Sequence, residues 1–123
     1  MTDPTQGLEP STVQVHVHDK DATTGWTVAE RLGYQLAGAA CVQLVAHPTT
    51  DSWCWTITHR PSGLAVMTGL RGKGGAAQAL QLLAASAVDW GLPGQQLAQL
   101  PSCLQAVQRV AKEQNSDVGA RHG

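Results

Sequence analysis

The stretch Trp53–Leu70, WCWTITHRPSGLAVMTGL, decides how this chain is read. Arg60-Pro61-Ser62-Gly63 joins a proline suited to the second position of a tight turn to a glycine that closes it. On either side, Trp53–His59 and Leu64–Leu70 are rich in β-branched, aromatic and other apolar residues, so the segment reads as a hairpin. With Arg60 and Gly63 flanking the turn, His59 pairs with Leu64, Ile57 with Val66 and Trp55 with Thr68. One face then carries Trp53, Trp55, Ile57, Leu64, Val66 and Leu70. The other carries Thr56, Thr58, Ala65 and Met67 and is the less bulky, partly solvated side. Cys41–His47, closed by Pro48, supplies a third antiparallel strand that places Cys41 across from His59. Its Val45 joins the tryptophan face, with Val42 and Leu44 opposite.

Working outward, Thr12–His18 alternates Val13, Val15 and Val17 with Gln14, His16 and His18, the period of a half-buried strand. Thr27-Val28-Ala29-Glu30 has the form of a capping box. Val28, Ala29, Leu32 and Leu36 then follow at helical spacing, and Gly38 stands where a helix often ends, so the pattern predicts a helix over 27–38. Downstream, Ala76, Leu80, Leu83, Ala84, Ala87 and Trp90 form the apolar stripe of a helix over Ala76–Trp90, stopped by Gly91 and Pro93. It is expected to cover the tryptophan face. Pro101 opens a last helix with Leu104, Val107 and Val110 inward.

The expected architecture is a small single α+β domain. It has an antiparallel three- to four-stranded sheet with helices packed on one face, in the order β-α-β-β-β-α-α. Residues 1–10 read as a flexible lead-in, 11–115 as the domain and 116–123 as a disordered tail.

Charged residues make up 14% of the 123 positions and the net charge is −1, which excludes a strongly basic nucleic-acid binder and a solvating acidic tail. No stretch reaches the ~18 apolar residues of a membrane span. The N-terminus lacks the basic-then-apolar order of a signal peptide, so no membrane partner and a cytoplasmic location are expected. Cys41, Cys54 and Cys103 are widely spaced and odd in number, which fits thiols rather than a disulfide or metal framework.

Two arrangements could carry chemistry. His16 and His18 share one face of their strand and become metal ligands only if others join them. Candidates for that role are His47, His59 and Asp51, which nothing in the sequence brings near. The bland reading is two histidines on a solvated strand face. His59 opposite Cys41 has the composition of a base and a nucleophile, but no nucleophile motif surrounds the cysteine. No paired carboxylates, Walker pattern or dinucleotide fingerprint occurs. The expectation is therefore no enzyme, no catalytic residue, no bound metal and no cofactor.

The charge distribution says more than its total. Residues 1–30 hold five acids (Asp3, Glu9, Asp19, Asp21, Glu30) and one base (Lys20). Residues 52–88 hold no acid and three bases, Arg60, Arg71 and Lys73. Arg71-Gly72-Lys73-Gly74-Gly75 immediately precedes the long helix, where unpaired N–H groups and a positive dipole end attract anions. Arg60, Arg71, Lys73, Gly74 and Gly75 are thus the candidate anion or nucleic-acid contacts, with Trp53 and Trp55 available for base stacking if exposed.

The helix-strand-strand-strand-helix order of 27–89 is similar to the double-stranded RNA-binding domain. In that family a basic, glycine-preceded turn leads into an alanine-rich second helix, as in Gly69-Leu70-Arg71-Gly72-Lys73-Gly74-Gly75-Ala76-Ala77 here. The resemblance covers about half the chain and implies contact with an RNA phosphate backbone. It departs in having one lysine where the family has a cluster.

The expected function is a small non-enzymatic module that binds an RNA or DNA backbone, or another anion, on this surface. The alternative is a protein–protein or homodimerisation module that uses tryptophan and helix surfaces, the Leu97–Val110 region and open sheet edges.

Overall fold

In the computed structural model the described residues are 7–18, 20–37, 42–49, 54–86, 88–114 and 117–118. Five strands follow one another as a meander: β1 (Leu8–His18), β2 (Trp26–Leu36), β3 (Leu44–Pro48), β4 (Trp55–His59) and β5 (Leu64–Leu70). Three helices come next: α1 (Gly72–Ala85), α2 (Gly94–Gln99) and α3 (Pro101–Gln114). A two-residue strand, β6 (Asp117–Val118), returns to β5. The sheet order is β1-β2-β3-β4-β5-β6, and every pairing is antiparallel. The chain is a small single α+β domain. β1 begins at Leu8, inside the stretch read as a lead-in, and β6 lies inside the stretch read as a tail.

The largest departure from the sequence reading is β2. Residues 27–38 were expected to be a helix, yet Trp26–Leu36 is an eleven-residue strand paired with β1 from Leu8↔Leu36 to His18↔Trp26. The order is therefore β-β-β-β-β-α-α-α with β6 appended, and the helix-first likeness to the double-stranded RNA-binding domain does not hold. The misreading has a definite cause. Val28, Leu32 and Leu36 are four residues apart, and four is both about one helical turn and an even number. The same spacing puts all three on one side of a strand.

Pairing parity settles which residues face where. Leu8 and Leu36 belong to the main core under the helices, so even-numbered residues of β1 and β2 share that side. Val13 and Val15 point the other way and form a second cluster with Val45. Among the described residues β2 meets β3 at a single pair, Tyr34↔Ala46, and the rest of the hairpin folds back over the sheet's rear face. Gly33 sits at the crossing, where a Cβ would overlap the Ala46 carbonyl oxygen. The rear face is thus covered: Thr56 and Thr58 are buried rather than partly solvated.

β3 pairs Leu44 with His59, three positions later in the chain than the expected Cys41. An odd shift exchanges the faces. Leu44 and Ala46 face the helices, and Val45, opposite Thr58, faces β1. The β4–β5 pairing begins as expected at His59↔Leu64, then shifts twice to give Ile57↔Met67 and Trp55↔Leu70. Val66 and Thr68 are displaced from their expected partners, and Gly69 takes the positive φ of +72° beside the second irregularity. Met67 therefore fills the fully buried site beside Ile57.

Helix α1 ends at Ala85, short of the expected Trp90. It lays Ala76, Ala79, Leu80 and Leu83 on the sheet, and Val107, Val110 and Ala111 of α3 complete the core. Trp90 lies past the helix end, where its Nε1 donates to the Leu83 carbonyl at 3.0 Å. No helix among the described residues is long and apolar enough to cross a membrane.

Candidate anion and nucleic-acid interface

The three bases of the acid-free segment do not converge. Arg60 leaves the β4–β5 turn toward the β1–β2 hairpin. Its Nε donates to the Val42 carbonyl at 2.9 Å and Nη1 to the Thr12 carbonyl at 2.5 Å. Nη2 donates to Ser11 Oγ at 2.6 Å and Gln35 Oε1 at 2.9 Å. Gln35 in turn donates to Glu9 at 2.9 Å. A guanidinium has five N–H donors, so most of this one is spent inside the protein. Arg60 also borders a 340 Å³ cleft with Thr12, Val13, Gln14 and Glu30. Arg60 is thus a clasp between the turn and the hairpin. Arg60→Lys is expected to cost about 2–3 kcal/mol, since an ammonium cannot span four acceptors in a plane. Chemical denaturation at matched pH measures this, and an unchanged midpoint would show that the clasp contributes nothing.

Arg71 and Lys73 both stand at the start of α1. Arg71 is the exposed, extended N-cap residue of α1, and Gly72 behind it adopts φ +70° with open space around it. At the second residue of the helix, the Lys73 ammonium sits over the Tyr34 ring, 3.9 Å from its centroid. The Tyr34 ring lies 6.1 Å from that of Trp55, tilted by 31°. This is a cation–π contact joined to an aromatic pair. Tyr34 and Trp55 are both half-buried. Gly74 is exposed, and a methyl group placed on its Cα would meet nothing within 4 Å. Gly75 is half-buried. Trp53 lies outside the described residues.

Tyr34 is the member that sequence reasoning missed. Assigned to a helix, it had no reason to approach Trp55. As a strand residue opposite Ala46, it lies two strands away from Trp55 on the same side of the sheet.

The histidines divide differently. His16 is half-buried, with Nδ1 3.4 Å from the Gly63 carbonyl, and the His18 side chain, Asp51 and Cys41 lie outside the described residues. Among the described residues no three His, Cys, Asp or Glu side chains gather. His59 faces Leu44, not Cys41. Its Nε2 donates to the Trp90 carbonyl at 2.7 Å, and Nδ1 accepts from the Ser62 hydroxyl at 2.9 Å. His47 donates from Nδ1 to the Pro48 carbonyl at 3.1 Å and accepts at Nε2 from Thr58 Oγ1 at 2.6 Å. Burial lowers the pKa of both rings, against the opposing pull of their carbonyl bonds, and Arg31 adds repulsion at His47. These are neutral rings that close polar gaps in the core. Burial also pushes the Cys103 thiol up, away from the thiolate form a nucleophile needs.

Comparison of the chain with protein-family models, with curated proteins and with solved structures finds no match.

Proposed function

We propose that this protein is a small non-enzymatic module that binds the backbone of a nucleic acid or a similar polyanion on the patch made by Arg71, Lys73, Tyr34 and Trp55. It acts in the cytoplasm, where the thiol of Cys103 persists. The observation that carries the reading is the Lys73 ammonium held over Tyr34 beside Trp55, with the exposed Arg71 guanidinium at the same helix start. Cations supply sequence-independent attraction to phosphates, and aromatic faces add stacking to unpaired bases.

With two cations engaged, affinity is modest. The slope of log K against log salt is about −1.4 for a single strand, from roughly −0.7 per phosphate contact. The test is fluorescence polarisation with a labelled oligothymidylate and a labelled RNA duplex at low and at moderate salt. Replacing both residues, Arg71→Ala with Lys73→Ala, is expected to weaken binding at least tenfold and flatten the salt slope. Unchanged binding in the double variant overturns the assignment. Arg60→Lys, which keeps its charge, is expected to leave the affinity of the folded protein unaltered.

A further inference from the structure

Lys73 has an aromatic partner for its ammonium rather than an ionic one. Residues 52–88 carry no acid, and among the described residues no carboxylate pairs with Lys73. Its Nζ instead stands 3.9 Å from the Tyr34 centroid, a separation at which it fills that face of the ring. The chain on either side leaves the lysine room to move. Gly72 and Gly74 flank it, and a Cβ on either would meet nothing within 4 Å. Trp55, with its ring 6.1 Å from that of Tyr34 and inclined by 31°, extends the aromatic surface.

We infer that Lys73 holds the seat of an unpaired base. A single-stranded nucleic acid places one base on the Tyr34 face that the ammonium covers, and the displaced lysine moves to a phosphate of the same strand. The inference rests on the polyanion reading of the patch and narrows its ligand to a single strand. One ring face accommodates one partner, so base and ammonium exclude each other there. The exchange favours the base. A cation–π contact at the surface is weak, and stacking of a base on an aromatic ring is generally stronger. The lysine gains by leaving, because a phosphate oxygen accepts a charge-assisted hydrogen bond that the ring does not. Its flexible four-carbon stem supplies the reach. In a duplex the bases are stacked on one another, so a duplex offers the seat nothing.

Fluorescence polarisation compares a labelled oligothymidylate with a labelled abasic strand of the same length, which keeps the phosphates and lacks the bases. The parent is expected to bind the oligothymidylate at least about tenfold more tightly, the effect of one stacked base. Tyr34→Leu is expected to abolish that preference, and Tyr34→Phe, which keeps the ring, to preserve it. A direct readout comes from NMR of the parent. The Lys73 ε-methylene protons are expected upfield in the free protein, shielded by the Tyr34 ring, and at the ordinary lysine position once oligothymidylate saturates the site. Equal affinity of the parent for the two strands overturns the inference and leaves the polyanion reading standing. Absence of binding to either strand removes that reading, and the inference with it. An ε-methylene signal still upfield at saturation also overturns the inference. So does a Tyr34→Leu variant that keeps the preference, or a Tyr34→Phe variant that loses it.

Discussion

Gly33→Ala is expected to destabilise the protein by about 3 kcal/mol and to leave little folded material at 37 °C. The added methyl would overlap the Ala46 carbonyl oxygen and crowd His47 Cβ at 3.0 Å and Val45 Cγ1 at 3.1 Å. None of these can swing aside. Ala46 is backbone in the middle of β3, and Val45 and His47 are buried between the hairpin and the sheet. Overpacking is relieved only by lifting the hairpin off, which would expose Val13, Val15 and Val45 together. Gly74→Ala is the matched control: nothing lies within 4 Å of its Cβ position, and alanine is the better helix former. Urea denaturation of the two variants measures the difference, and equal midpoints would refute the crossing described for β2.

Stability should fall as the solution is acidified below about pH 6.5, through two buried histidines. His47 and His59 are neutral and buried, and both have pKa values held below the ordinary 6.5. The unfolded chain therefore binds protons first. Stability from these two rings is complete above their unfolded pKa. It is lost as the pH drops toward the folded value, and the loss levels off below it. Each ring contributes at most about 1.4 kcal/mol per pH unit in that window, or about 2.7 for both. Protonation also puts hydrogens on Nε2 of His47 and Nδ1 of His59, which now accept from Thr58 and Ser62, so both hydroxyls must turn. Denaturation midpoints at pH 7.5, 6.5 and 5.5 provide the readout. Replacing either histidine with glutamine should remove one proton's share of the slope, and a flat profile in the parent would contradict the assignment.

The hairpin around Arg60-Pro61-Ser62-Gly63 was legible because turn chemistry is local, and His59↔Leu64 follows directly from it. Helices α1 and α3 were legible from their apolar stripes, although Leu104, read as inward, is 42% exposed. β3 was read in the wrong register because both its faces are buried: Leu44, Val45 and Ala46 are all inaccessible, so no alternation marks a core side. The register shifts in β5 depend on tertiary fit and leave little trace beyond Gly69. At the candidate site, Arg71 and Lys73 could be found from charge beside glycine. Arg60 could not be set apart from them, because its acceptors come from β1, β2 and the residues before β3, far away in sequence. Tyr34 was hidden by the ambiguity of four-residue spacing in β2.

The single ladder pair between β2 and β3 also bears on how the molecule assembles. Eleven matched pairs join β1 and β2 across a short connection, while one pair, Tyr34↔Ala46, links them to the remaining strands. Closure of a hairpin is a microsecond event that needs only nearby chain. Its docking relies instead on three valines, the Arg60 clasp and the Gly33 crossing, contacts that bridge distant parts of the sequence. Hairpin closure is thus a local step and its docking a long-range one.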